Sequence, residues 1–178
     1  SVQMVIDGGA AACIDATARE RWLIATSEEI AVESVEARAW PPDLVPDFTD
    51  IPVAIARTVP EWGDTLAVKE ISALTEDMLG SAKRTIYIEA QYFTASNVRR
   101  FLTTSLAARH GPEIVAIVRR SSPGLLERFV MGANRDRFIR HIRGADRHNR
   151  FRVYYPVVEG KNAPCEVLVH SKVLIVDD

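Results

Sequence analysis

Short apolar runs alternate with amphipathic stretches along this 178-residue chain. Val2-Gln3-Met4-Val5-Ile6 has the composition of a strand, and Asp7-Gly8-Gly9 after it is a turn signal. Residues 10–25, with Ile14, Trp22 and Leu23, then read as a helix. From Trp40 to Pro60 the pattern changes. Pro41, Pro42, Pro46, Pro52 and Pro60 interrupt any long element, which predicts a loop or an edge strand at 53–55.

Beyond this segment the rhythm becomes regular. Residues 66–82 place Ile71, Leu74 and Met78 on one helical stripe. Residues 85–92 read as a strand. Val98, Phe101, Leu102, Ser105 and Leu106 then fall at helical spacing, with Thr94 and Ser96 as candidate N-caps. Residues 113–118 form an apolar strand, closed by the turn residues Ser121-Ser122-Pro123-Gly124. A helix is expected over 125–142, bent near Gly132, followed by strands at 152–155 and 167–176 on either side of Pro164. Val173-Leu174-Ile175-Val176 has no polar alternation, the pattern of a strand buried on both faces. The alternation predicts βαβ units: one α/β domain over 1–178 whose mixed, mostly parallel sheet carries helices on both faces.

Composition changes this picture little. Apolar residues make up 47% and charged residues 26%, close to globular averages, which excludes disordered and fibrous classes. A net charge of −2 and a pI near 6.1 argue against the broad basic surface of a general nucleic-acid binder. There is no apolar run of the ~20 residues that cross a bilayer, and no signal-peptide pattern at the N-terminus. Cys13 and Cys165 suggest neither a disulfide scaffold nor a zinc site. The expected location is therefore cytoplasmic. Trp22, Trp40 and Trp62 show no interfacial pattern.

The chemistry lies at the C-terminal end, in Val169-His170-Ser171-Lys172-Val173-Leu174-Ile175-Val176-Asp177-Asp178. On a strand, His170 and Lys172 share a face. A lysine ammonium suits the non-bridging oxygens of a phosphate, and an imidazole can attack phosphorus or protonate a leaving oxygen near neutral pH. Asp177, where the strand should end, is placed to fold back and orient an imidazole or balance charge, by analogy with triad logic. The bare pattern His-x-Lys-x4-Asp arises by chance in roughly one chain per hundred, and a polar pair at a sheet margin is common.

Two further stretches add context. The segment 170–178 resembles the second HKD signature of the phospholipase D superfamily. Thr85-Ile86-Tyr87-Ile88-Glu89-Ala90-Gln91-Tyr92-Phe93-Thr94 resembles the segment, usually Ile-Tyr-Ile-Glu-Asn-Gln-Tyr-Phe, between the two HKD motifs of eukaryotic-type phospholipases D and their bacterial relatives. Ala90 departs from its asparagine. A weaker likeness joins Val2 to Asp7 and Arg19-Glu20-Arg21-Trp22 to the stretch after the first HKD motif.

The resemblance implies a phosphodiesterase or phosphatidyltransferase acting on phospholipid headgroups through a phosphohistidine, without metal or other cofactor. His170 would be the general acid and then the general base, and Lys172 would stabilise charge on phosphorus oxygens. Glu89 and Gln91, near the C-terminal end of their strand, are candidate substrate contacts. Within the same superfamily, a cardiolipin synthase or a nuclease would use the same residues. A non-catalytic, partner-binding module is the alternative from another class.

The family uses two such motifs, and this chain has one. His110, His141 and His148 are followed two residues on by Pro112, Arg143 and Arg150. The chain also stops before the Gly-Ser and Asn-containing turn that usually follows the motif. The resemblance thus implies a fragment, inactive alone, whose partner is an N-terminal half with the first motif, or a second copy in a homodimer. Phospholipid is the expected substrate, met by peripheral contact with a membrane. Arg135, Arg137, Arg140, Arg143, Arg147, Arg150 and Arg152 form a basic run suited to phosphate headgroups or nucleic acid, or simply to a solvated helix face.

Overall fold

The computed structural model describes residues 2–32, 40–119, 133–161 and 163–177. The chain divides into two compact bodies, residues 3–57 and residues 58–178 with Val2.

The first body is built on helix α1 (Gly8–Thr26). Asp7 caps it, its carboxylate accepting from the Gly8 N–H at 2.7 Å, while Gly8 takes a positive φ of 67°. None of its residues is buried. Its contacts are mostly local and polar. Arg19 pairs with Asp15 at 2.7 Å and donates to the Ile30 and Ala31 carbonyls. The Trp22 indole N–H donates to Glu28 at 3.2 Å. The strand expected at 2–6 does not form, and of the loop or edge strand expected at 53–55 the chain takes the loop. A short apolar run becomes a strand only with a partner ladder, and neither run has one.

In the second body, strand β1 (Thr58–Val59) pairs antiparallel with β2 (Val68–Lys69). That pairing takes residues the sequence assigned to a helix from 66, so α2 spans Glu70–Ser81. Its buried residue is Leu79, whereas Ile71 and Leu74 of the expected stripe stay exposed. Strand β3 (Thr85–Ala90), helix α3 (Ser96–Ala107) and strand β4 (Glu113–Val118) form one parallel βαβ unit. Helix α4 (Ala133–Ala145) leads into β5 (Phe151–Tyr154), parallel to β4. The expected turn at 121–124 and the helical stretch 125–132 lie outside the described residues. Strands β6 (Val157–Val158) and β7 (Cys165–Glu166) form a small hairpin, and β8 (Val173–Val176) returns antiparallel to β3. The main sheet has the order β5-β4-β3-β8, mixed and mostly parallel as predicted.

Alternation along the strands decides what is covered. Ile86 and Ile88 of β3, Ile114, Ala116 and Val118 of β4, and Phe151 of β5 join one cluster with Leu79, Leu102, Leu106, Phe138 and Ile142 of the three helices. Burying each such aliphatic or aromatic side chain contributes about 1.5–3 kcal/mol. Tyr87, Glu89, Val115 and Ile117 alternate onto the other face and are half-buried. Helices on both faces were expected; among the described residues of this body the helical packing lies on one face. β8 departs from expectation in the same way. It is an edge strand with Ile175 exposed, not a strand buried on both faces.

The candidate caps of α3 are not used. Ala95 occupies the N-cap position without a side-chain bond, and Ser96 is already helical. The C-terminal end is held from afar. Arg150, 7% exposed, donates to the carbonyls of Ser105 (3.1 Å), Leu106 (3.4 Å) and Ala108 (2.6 Å), satisfying groups the helix leaves open. Gly111 makes room for it, since a Cβ there would lie 2.5 Å from the guanidinium. Arg135 is also buried and donates to the Arg119 carbonyl at 2.5 Å. Two arginines of the basic run are therefore structural, and Arg137, Arg140, Arg143 and Arg147 are its exposed members.

Candidate active site

β3 ends at Ala90 because the chain bends at Gln91 and Tyr92 and then passes through Phe93 with a positive φ of 48°. A buried aromatic residue rarely adopts that conformation. Its ring is locked edge-on against Phe138 with centroids 4.8 Å apart. Past Ala90, β3 offers no ladder to pair with. The strand predicted over 167–176 is consequently cut to Val173–Val176, and its pairing with β3 ends at Val173 opposite Glu89. His170 and Lys172 precede the strand instead of lying on it.

The two side chains still meet. Lys172 Nζ lies 3.5 Å from His170 Nδ1, and donates to the His170 carbonyl at 2.8 Å and to Gln91 Oε1 at 3.1 Å. Gln91 in turn donates from Nε2 to the Tyr92 hydroxyl at 3.2 Å. His170 and Lys172 are exposed, and Val169 beside them is buried. Two of the three Lys172 donors have firm acceptors, Gln91 Oε1 and the His170 carbonyl, and the long contact to Nδ1 is the easiest to exchange for an arriving phosphate oxygen.

Ser171 points its hydroxyl the other way, donating to Glu89 Oε2. The second oxygen of Glu89 accepts from the Tyr87 hydroxyl at 2.6 Å. The bond from Ser171, then that from Tyr87, holds the Glu89 carboxyl below the usual range against the opposing effect of partial burial. The Tyr87 phenol is raised, first by its bond to Glu89, then by burial and the neighbouring negative charge. Glu89 and Gln91, expected as substrate contacts, are thus engaged within the protein. The sequence held no signal for Ser171 beyond its parity between His170 and Lys172.

Asp177 is not brought to this group. Its φ of 61° turns the carboxylate onto the backbone N–H groups of Lys83 (2.9 Å), Arg84 (2.7 Å) and Thr85 (3.0 Å), and its carbonyl accepts from the Arg84 guanidinium at 2.7 Å. These backbone bonds hold its carboxyl below the usual range. Thr85 starts β3, while Gln91 follows its end, roughly 20 Å away at ~3.3 Å per residue. The expected fold-back onto the imidazole does not occur.

The site is open surface. A concavity of about 510 Å³ lies elsewhere, lined by Ser96, Asn97, Arg99, Arg100 and Thr103 of α3 and His141 of α4. Among the described residues, no three His, Cys, Asp or Glu side chains gather as a metal-binding group, and no helix is long and apolar enough to cross a membrane. The chain matches no family model and no curated protein.

Proposed function

We propose that this chain is the second-motif half of a phospholipase D-like phosphodiesterase or phosphatidyltransferase. One observation carries the reading. The two stretches that resemble this family meet in space, through Lys172 on Gln91 and Ser171 on Glu89. Independent chance resemblances would have no reason to converge on one exposed imidazole–ammonium pair.

In this reading the attacking imidazole belongs to the complementary half. It forms a bond to phosphorus as the P–O bond to the headgroup breaks, and His170, entering this step as the imidazolium with both ring nitrogens protonated, gives one proton to the departing oxygen and is left neutral. Lys172 moves from the His170 ring to a non-bridging oxygen, whose charge it stabilises. His170 then takes the proton of an incoming water or alcohol, which attacks phosphorus as the P–N bond breaks. Asp177 takes no part in proton transfer.

Phosphatidylcholine turnover, with an added alcohol as acceptor and DNA as the competing substrate class, tests the reading. The 178-residue chain alone should be inactive, and a protein that adds the half with the first HKD motif should be active. There, His170→Asn should lower turnover ~10²–10⁴-fold. Robust turnover by the monomeric chain, or full activity of His170→Asn, overturns it. Cleavage of DNA in place of lipid would move the substrate to the nuclease branch.

A further inference from the structure

The segment bearing His170 and Lys172 lacks the ladder that normally fixes a strand. Pairing with β3 stops at Val173, and residues 167–172 belong to no strand. Among the described residues, two side-chain bonds tie them to β3 and to the turn after it. Lys172 reaches Gln91, and Ser171 reaches Glu89.

The second of these is built more deeply. Glu89 lies on the half-covered sheet face in register with Val173, and Tyr87 sits two residues earlier on that same face. Each carboxylate oxygen has its own hydroxyl donor, Oε1 from Tyr87 and Oε2 from Ser171. A carboxylate with both oxygens engaged makes a poor substrate contact. An ionised acceptor makes each bond stronger than a neutral pair would. Ser171 sits between His170 and Lys172, so its bond to Glu89 anchors the chain between them while Lys172 bonds to Gln91 and to the His170 carbonyl.

We propose that Tyr87, Glu89 and Ser171 form a positioning relay that sets the imidazole and ammonium side by side, with Glu89 acting through Ser171 and not on substrate. The kinetic consequence rests on the phospholipase D-like reading; the structural one does not.

Ring ¹⁵N and ¹³C spectra of the histidines in the chain itself supply the activity-free arm. Ser171→Ala and Glu89→Leu should each shift or broaden the His170 ring signals while leaving those of His110, His141 and His148 in place. Ser171→Thr, which keeps the hydroxyl, should restore them. Tyr87→Phe should give a smaller change in the same direction. In the complete enzyme, Ser171→Ala should lower kcat about 10–100-fold, the scale of a displaced reacting group, with KM nearly unchanged and Ser171→Thr recovering most of it.

Unmoved His170 signals in Ser171→Ala overturn the relay, whatever the activity. So does a raised KM with retained kcat in Glu89→Leu, which would make Glu89 a substrate contact. If no phosphodiester is turned over but the spectra respond as stated, the relay stands and the enzymatic reading falls.

Discussion

The two ends of the β3–β8 pair both carry a carboxylate locked by hydrogen bonds, but they use it differently. At one end Asp177 accepts three backbone N–H groups and joins the last residue of the HKD-like pattern to the start of β3. At the other, Glu89 accepts two side-chain hydroxyls and leaves His170 and Lys172 exposed beside it. Backbone groups do not move without unfolding, so the first end is a clamp. Side-chain hydroxyls hold a segment that has no ladder, so at the second end single side chains, not the sheet, set where the reactive groups stand. Residues that sit together in a sequence motif thus divide between holding the sheet together and facing what binds to it.

Phe93→Ala should have the largest effect on this contrast. It empties the buried ring position against Phe138, and the usual loss for such a deletion is about 3–5 kcal/mol. Chemical denaturation reads it, and the Gln91 turn should loosen with it. A loss under about 1 kcal/mol, well below that range, would show that the turn does not depend on that ring.

Lys172→Met comes next and separates the ends most cleanly. Turnover in the complete enzyme should fall ~10²–10³-fold, as for loss of one preorganised donor to a charged intermediate. The melting temperature should hold, because Lys172 is exposed. Parallel losses of stability and activity would make this end a clamp as well.

Asp177→Asn should give the smallest change, and of the opposite kind. Asparagine tolerates the positive φ and keeps one oxygen for the Arg84 and Thr85 N–H groups, so the charge and the bond from Lys83 are what it loses. Stability should fall modestly without a specific loss of turnover. The pH dependence follows from the lowered carboxyl. Its stabilisation is fully present above the ordinary carboxylate range and disappears as pH falls through the folded value, from roughly pH 4 downward. The Asp177→Asn variant should lose part of that acid-side slope in thermal melts, leaving the parts due to Glu89 and Asp146, whose carboxyls are also lowered. At Asp146, burial works against three backbone bonds, which prevail. An unchanged slope would show that Asp177 is no clamp.

The central elements were legible from pattern alone. The pattern gives Glu113–Val118 to the residue, β3 and β5 within a residue or two, and for α3 the helical spacing over 98–106, because their apolar spacing coincides with the faces that meet in the core. The misread elements share a cause. Val2 to Ile6 and residues 167–172 are apolar enough for strands but find no ladder, and Ile71 and Leu74 form a helical stripe that packs against little. Pattern records what a segment can bury, and it carries no information about whether a partner is there.

By itself, the sequence determined the α/β alternation, the mostly parallel order of the sheet, and the candidate pair of imidazole and ammonium, since local periodicity and residue chemistry suffice for these. Tertiary structure alone decided that Asp177 holds the backbone at 83–85, that Glu89 and Gln91 hold the segment before β8, and that Ser171 belongs with them. Each of those contacts joins residues more than eighty positions apart. Which oxygen meets which donor across such a distance follows from where β3 bends and where its ladder ends, and neither is written in local spacing.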